Sequence, residues 1–279
     1  MTMKFVNLAS DEKVPALGMG TWNMGDRQAR RNEEIRSLQH GIDLGMVLID
    51  TAEMYGEGAA EKLVGEAIAG RRKQAFLVSK VYPHNATAKG TITACERSLA
   101  RLGTDHIDLY LLHWRGNVPF RETIGAFERL QREGKIRHWG VSNLDPADMA
   151  ELYSTPGGNR VATNQVLYNL TRRGIEWDLL PWCSEHRIPV MAYSPIEQAK
   201  LLQDSCLKKL ALEIDKSPTQ LALAWVLSRE NVIAIPKASN QLHVEENHGA
   251  LEFTLNPEVM DRLDAIFPPP RRATALEML

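Results

Sequence analysis

Short runs of β-branched and aliphatic residues alternate with helical patterns along the chain, and this alternation limits the possible folds more than any other feature. The runs recur at roughly thirty-residue intervals and carry apolar residues on both faces, as parallel strands covered on both sides do. Eight candidate strands lie near Leu17 and at 47–49, 76–79, 107–112, 136–141, 161–166, 189–193 and 232–235.

The segments between these runs carry the signals of amphipathic helices. From 58 to 69, apolar residues recur at the spacing of one buried helix face. Ser217 opens a capping box with proline in the first helical turn, and Gly103 and Gly134 follow helical stretches as C-terminal stops. Eight such units predict one domain over 1–279, a (β/α)₈ barrel with a short N-terminal extension. A doubly wound open sheet is the alternative that alternation alone leaves open.

Composition excludes several other classes of protein. The 279 residues include 33 basic and 35 acidic side chains, a formal net charge of -2, which gives no reason to expect nucleic acid or an acidic membrane as a partner. No apolar stretch approaches the ~20 residues of a membrane span, and the N-terminus does not resemble a signal peptide. Three scattered cysteines fit a reduced, cytoplasmic protein, and a monomer is the default expectation. The stretch from 268 to 279 begins with three prolines and predicts an irregular surface tail.

Ionisable residues stand at three successive strand ends, where the active site of a barrel forms. These residues are Asp50, Lys80 and His113, and Tyr55 follows in the loop after Asp50. An ammonium beside a tyrosine lowers the phenol pKa, a carboxylate holds the ammonium, and an imidazole polarises a carbonyl oxygen. The set therefore predicts proton transfer at a carbonyl group.

Motifs for other chemistries are missing from the sequence. It contains no G-x-S-x-G, no H-E-x-x-H or Cys/His metal cluster, and no Walker A sequence. The segment from Gly56 to Glu61 approaches a dinucleotide fingerprint but lacks its third glycine, so we interpret it as a turn that opens a helix.

These residues resemble the aldo-keto reductases over nearly the whole chain, from Leu17 to about Asn247. The shared motifs are Leu48-Ile49-Asp50-Thr51-Ala52 with Tyr55, Ser79-Lys80, Leu109 to Trp114, Gly140 to Asn143, Asn164-Gln165, Ala192 to Pro195 and Ile235-Pro236-Lys237. Within the family the sequence is most similar to bacterial methylglyoxal reductases of the YeaE type. The resemblance implies a (β/α)₈ barrel with an extended nicotinamide cofactor across its mouth.

The resemblance also implies roles for individual residues. Tyr55 would be the general acid, Lys80 would lower its pKa, Asp50 would pair with Lys80, and His113 would orient the carbonyl. The implied cofactor-binding residues are Gly20, Thr21, Trp22, Asp50, Ser142, Asn143, Gln165, Tyr193, Ser194, Pro195, Ile196, Ile235, Pro236, Lys237, Ala238, His243, Glu246 and Asn247.

The adenosine-phosphate segment departs from the family pattern at two positions. Many members follow Ile-Pro-Lys with serine and place an arginine five residues later, where this chain has Ala238 and His243. Imidazole is a weaker partner for a 2′-phosphate than guanidinium. We expect NADP(H) to be preferred over NAD(H), with Lys237 as phosphate partner and with a smaller margin than the arginine would give.

The resemblance places Trp22, Tyr82 and Trp114 around the substrate, and Met54 joins them because it lies in the same loop as Tyr55. An aromatic wall and an open cleft suit small aldehydes and 2-oxoaldehydes such as methylglyoxal. Two alternatives stay open. Lys80 could form a Schiff base in a barrel aldolase, although Asp50 opposes the depressed pKa that this needs. The chain could also bind the cofactor as a regulatory module without turnover.

Overall fold

Eight parallel strands form a closed barrel in the computed structural model, which describes residues 3–279. They are paired in chain order: β3 (Met19–Gly20), β4 (Leu48–Asp50), β5 (Phe76–Val81), β6 (Ile107–Leu112), β7 (Ile136–Ser142), β8 (Asn164–Leu167), β9 (Val190–Tyr193) and β10 (Val232–Ala234). Parallel bridges join Leu17 to Ala234 and Gly20 to Lys237, and they close the sheet on itself. The (β/α)₈ prediction is confirmed, and the open-sheet alternative is wrong.

Helices cover the outside of the barrel. They are α1 (Arg31–Asp43), α2 (Ala59–Ala67), α3 (Ala88–Leu102), α4 (Phe120–Arg132), α5 (Pro146–Ser154), α6 (Leu179–Glu185), α7 (Ser205–Glu213), α8 (Pro218–Leu227), α9 (Gln241–His248) and α10 (Pro257–Ile266). The capping box at Ser217 forms as predicted, and Gly103 ends α3 in the left-handed conformation at φ 63°. No helix within residues 3–279 is both long and apolar enough to cross a membrane.

Two strands begin later than the sequence indicates. The first is only Met19–Gly20, although Leu17 already bridges to the last strand. A side chain at Gly18 would lie 2.8 Å from the carbonyl oxygen of Leu48, so the strands approach too closely here for anything but glycine. The sixth barrel strand begins at Asn164 rather than 161, because the preceding residues bond only irregularly to their neighbours.

A hairpin closes the N-terminal end of the barrel. Strands β1 (Phe5–Asn7) and β2 (Lys13–Pro15) pair antiparallel and bury Val6 and Val14. The hairpin reaches the start of β7, where Glu12 accepts a hydrogen bond of 2.7 Å from Arg137. The hairpin thus covers this end, and the large central cleft lies at the opposite, carboxyl end of the strands.

The C-terminal stretch is irregular and mostly exposed, as predicted for a surface tail. No helix or strand follows Ile266 in the described chain. Instead the stretch folds back across the barrel mouth, where Glu277 accepts a hydrogen bond of 2.5 Å from Arg172. Met278 and Leu279 then line the central cleft. The expectation of an open cleft is therefore corrected, since these residues form part of its rim.

Candidate active site

A cleft of about 690 Å³ opens at the carboxyl ends of the strands, within the size range of small-molecule sites. Its lining combines aromatic rings with convergent polar groups. Of the predicted catalytic residues, Asp50, Tyr55 and His113 line it, and Lys80 lies wholly buried just behind. The predicted cofactor residues on its wall are Gly20, Thr21, Trp22, Asp50, Ser142, Asn143, Gln165, Tyr193, Ser194, Pro195, Ile196, Ile235 and Lys237.

The ammonium of Lys80 sits at the centre of the polar cluster. Its Nζ donates to Asp50 Oδ2 at 2.8 Å, to the backbone oxygen of Thr51 at 2.9 Å and to the hydroxyl of Tyr55 at 3.0 Å. All three N–H directions of the ammonium are thus occupied. The side chain is fixed with one donor aimed at the phenol.

The surroundings of Lys80 keep it charged. Burial lowers its pKa. The carboxylate of Asp50 and the hydroxyl of Tyr55 raise the pKa by more than burial lowers it, so the net pKa lies above the ordinary 10.5. A Schiff-base lysine needs an unprotonated amine near neutral pH. The geometry therefore disfavours the aldolase alternative.

The loop after β4 makes a tight turn directly after Tyr55. Gly56 and Glu57 both adopt left-handed conformations, at φ 55° and 51°, before α2 begins. Burial raises the pKa of Tyr55 above 10.0 and the ammonium of Lys80 opposes that rise without cancelling it. Lys80 lowers the pKa of Tyr55 as expected, but the net shift of this pKa is upward. The phenol is therefore held protonated, as a proton donor requires.

His113 is an uncharged imidazole beside the phenol. Burial and the charge of Lys80 lower its pKa to about 2. Its ring meets that of Tyr55 edge-on, with centroids 5.9 Å apart. Nδ1 is buried without a partner among the described residues. An unpaired lone pair is less costly than an unpaired N–H, so the ring proton belongs on Nε2, where it can donate to a substrate oxygen.

Three amide and hydroxyl side chains form a connected row beside the cluster. Gln165 Nε2 donates to Asp50 Oδ1 at 2.7 Å, and Ser142 Oγ donates to the backbone oxygen of Gln165 at 2.8 Å. Asn143 bonds to Ser142 Oγ and accepts from the hydroxyl of Tyr193 at 3.1 Å. This row offers both donors and acceptors to a flat carboxamide group, with the Tyr193 ring beside it.

The loop after β9 forms the next part of the wall in an unusual backbone conformation. Ser194, Glu197, Gln198 and Ala199 all have positive φ, between 48° and 68°. Such residues cost about 1–3 kcal/mol each and persist only where neighbours hold them. Glu197 supplies that support, because its carboxylate accepts hydrogen bonds from Asn169 and Arg172 at 2.8 Å.

The predicted adenosine-phosphate residues lie beside the cleft rather than on its wall, apart from Lys237. Pro236, Ala238, His243, Glu246 and Asn247 do not line it. His243 is exposed in the first turn of α9, and Asn247 is buried in the same helix.

Aromatic and aliphatic side chains form the remaining wall, where substrate is expected. Trp22, Met54 and Trp114 line the cleft. Tyr82 is not among the lining residues, but it packs edge-on against Trp114, with ring centroids 5.7 Å apart. Its direct contact with substrate stays a prediction.

Five lining residues were not predicted from the sequence: Asn23, Gln198, Ala199, Met278 and Leu279. Asn23 is adjacent to Trp22, and Gln198 follows the Ser194 loop, so proximity in sequence could have indicated both. The C-terminal pair carries no motif and reaches the cleft only through the folding back of the tail.

Comparison with known proteins identifies the chain. The model of the aldo/keto reductase family matches residues 16–267. The protein belongs to this family.

Members of the aldo/keto reductase family resemble the chain over its full length. Methylglyoxal reductase YeaE of Escherichia coli K12 is 52% identical, with 100% of each chain covered. Glyoxal reductase of Bacillus subtilis is 33% identical over 94% of this chain and 92% of the relative. A crystal structure of an aldo/keto reductase from Klebsiella pneumoniae in complex with NADP and acetate superposes with a TM-score of 0.97 at 50% identity, covering 100% of both chains.

Proposed function

We propose that this aldo/keto reductase uses NADPH to reduce small aldehydes and ketones to alcohols, with 2-oxoaldehydes such as methylglyoxal as the preferred substrate class. The observation that carries the proposal is the hydrogen bond of 3.0 Å between Lys80 Nζ and the hydroxyl of a buried, protonated Tyr55. A phenol so placed can give its proton to a developing alkoxide.

The residues around the cleft fit a nicotinamide cofactor. The row of Ser142, Asn143 and Gln165 would hold the carboxamide, and the Tyr193 ring, half-buried on the cleft wall, would stack on the nicotinamide. Lys237 lines the far end of the same cleft and supplies a cation for phosphate. The relative from Klebsiella pneumoniae binds NADP, which supports this assignment.

The bound cofactor supplies a hydride, and the protein's own groups control the proton. Nε2–H of His113 and the hydroxyl of Tyr55 would both donate to the carbonyl oxygen and so polarise the carbon that accepts the hydride. As negative charge develops on that oxygen, Tyr55 transfers its proton. Lys80 then stabilises the phenolate, and Asp50 keeps the ammonium in position.

Substrate size follows from the wall. Trp22, Trp114 and Met54 present apolar surface close to Tyr55, and the tail residues Met278 and Leu279 narrow the opening. A compact carbonyl compound fits this space. Two of the relatives are named methylglyoxal reductase and glyoxal reductase, and they support small 2-oxoaldehydes as the substrate class. We further propose a cytoplasmic monomer, with which the three free cysteines are consistent.

Steady-state oxidation of NADPH, with NADH in parallel, tests the proposal on methylglyoxal and a simple aromatic aldehyde. Tyr55→Phe should lower the turnover rate about 10²–10⁴-fold, because this substitution removes only the transferable proton. Tyr153→Phe is the matched control and should keep the turnover, because Tyr153 packs against Trp182 and His186 and does not line the cleft. Undiminished turnover in Tyr55→Phe would contradict the assignment of the acid. NADPH binding without turnover on any carbonyl would favour the regulatory module instead.

A further inference from the structure

The adenosine-phosphate end of the cleft lacks the arginine that many family members carry, so its cations decide how a 2′-phosphate is held. His243 occupies that position and is exposed. Its backbone N–H is bonded to the side chain of Asn240, which caps α9. Lys237 is the cation on the cleft wall itself.

Helix α1 packs along this segment and brings other charges to it. Ser37 Oγ donates to the backbone oxygen of Ala238 at 2.6 Å, and His40 lies 2.9 Å from Glu245 in α9. One face of α1 therefore contacts Ala238 and Glu245.

Arg30 immediately precedes α1 as its N-cap residue, at the N-terminal end of the face that carries Ser37. Residue 30 has helical backbone angles, φ -99° and ψ -9°, and Arg30, Glu34 and Ser37 are spaced by four and three residues. Side chains at these spacings lie above one another on a helix surface. Arg30 is thus about two turns from the contact of Ser37 with Ala238, on the side toward the cleft opening.

The charges around Lys237 include those of Arg30, Glu34 and Asp26. The pKa of Lys237 lies below 10.5, chiefly because of burial. The carboxylates of Glu34 and Asp26 raise this pKa, and the charge of Arg30 lowers it. The carboxylate of Glu34 is already engaged, since it accepts from the backbone N–H of Gly25 at 2.9 Å. With two carboxylates nearby, Lys237 alone gives little excess positive charge for a dianionic phosphate.

The guanidinium of Arg30 is available for a ligand. Among the described residues its one ion-pair partner is Glu33, at 3.8 Å, with both side chains more than 40% exposed. Such a pair contributes little and is easily replaced. By contrast, the neighbouring Arg31 is held by Glu66 at 2.6 Å.

We propose that Arg30 is the second phosphate-binding cation of this reductase, which with Lys237 recognises the 2′-phosphate of the cofactor. It supplies from α1 the guanidinium that the chain lacks at His243. The inference rests on the proposed use of NADPH and names a residue that determines preference for it.

Binding of 2′,5′-ADP and 5′-AMP, measured by calorimetry, tests the inference without any catalytic step. Arg30→Gln should weaken 2′,5′-ADP about tenfold, the loss expected for one charge-assisted hydrogen bond, and should leave 5′-AMP unchanged. Arg36→Gln is the matched control, because this substitution removes the same charge from an exposed position on another face of α1. It should bind both nucleotides as the unaltered protein does.

Three outcomes would overturn the inference. Unchanged affinity of Arg30→Gln for 2′,5′-ADP means that Arg30 does not contact the phosphate. Equal losses for both nucleotides would indicate a structural effect, and equal losses in Arg36→Gln would indicate a long-range effect of net charge. If the unaltered protein bound 2′,5′-ADP no more tightly than 5′-AMP, the proposed preference for NADPH would itself fail. That result is distinguishable because it appears without any substitution.

Discussion

Lys80 holds Tyr55 through two contacts at once: its Nζ lies 3.0 Å from the phenol oxygen and 4.7 Å from the centre of the ring. The same ammonium therefore bonds to the group that loses the proton and lies near the face of the ring that would carry the resulting charge. Burial and this ammonium act in opposite directions on the pKa of Tyr55, and burial prevails in the cofactor-free protein.

The first prediction concerns the protonation of Tyr55. A difference titration by near-ultraviolet absorbance, between the cofactor-free protein and Tyr55→Phe, should show Tyr55 less than half ionised at pH 10, because burial holds its pKa above 10.0. Phenolate detected near neutral pH would mean that the ammonium outweighs burial.

The second prediction concerns the buried pair of Lys80 and Asp50. Lys80→Met leaves the carboxylate buried without its cation and should lower the free energy of unfolding by about 3–5 kcal/mol. Urea unfolding measures this loss. The double variant Lys80→Met/Asp50→Asn should recover part of it, and failure to recover any would show that packing of the lysine stem dominates.

The third prediction concerns acid stability. His113 has a folded-state pKa of about 2 against an ordinary 6.5, so below 6.5 the unfolded chain binds a proton that the folded protein does not. Above pH 6.5 the contribution of His113 to the unfolding free energy should be constant. Below pH 6.5 the unfolding free energy should fall as the pH falls, by up to about 1.4 kcal/mol per pH unit. His113→Gln should have a shallower pH dependence in this window. Identical slopes would show that His113 is charged or solvated in the folded state.

The fourth prediction concerns Glu53, a buried carboxylate that supports the substrate wall. It accepts hydrogen bonds from the backbone N–H of Tyr82 at 2.9 Å and from Asn85 Nδ2 at 3.0 Å. Glu53→Ala should cost about 1–3 kcal/mol of stability and raise KM more than it lowers kcat. Glu53→Gln keeps an acceptor and should restore KM; equal defects in both variants would assign the effect to the lost charge.

The fifth prediction concerns His243. A guanidinium at this exposed position in the first turn of α9 would add a permanent charge toward the adenosine phosphate. His243→Arg should tighten NADPH several-fold relative to NADH, as about 1 kcal/mol of added attraction would. Fluorescence titration with each cofactor measures the ratio. If both cofactors tighten equally, the side chain does not meet the 2′-phosphate.

The sequence indicates the barrel and the catalytic cluster because both depend on local patterns. Apolar runs specify β4, β5 and β6, and Asp50, Lys80 and His113 stand where those runs end, so the topology alone brings them to one edge. The family motifs then supply the expected partner, Tyr55, and the structure places its hydroxyl within hydrogen-bond distance of Lys80.

Other parts of the site depend on contacts between distant segments, which no local pattern reports. Met278 reaches the cleft because Arg172 holds Glu277, a contact between residues far apart in sequence. The net pKa of Tyr55 depends on how completely the closed barrel excludes water. Tyr82 packs edge-on against Trp114, its backbone N–H donates to Glu53, and neither contact has a sequence signature.

The bridge between Gly20 and Lys237 joins the first unit of the barrel to the last. Both residues also line the cleft, so the cofactor proposed here would rest against two segments that meet only when the circle of strands is complete. A nascent or partly unfolded chain without its eighth strand has only one side of that surface. Binding of the cofactor thus requires completed folding. By mass action the bound ligand also stabilises the closed barrel against opening where its first and last strands meet.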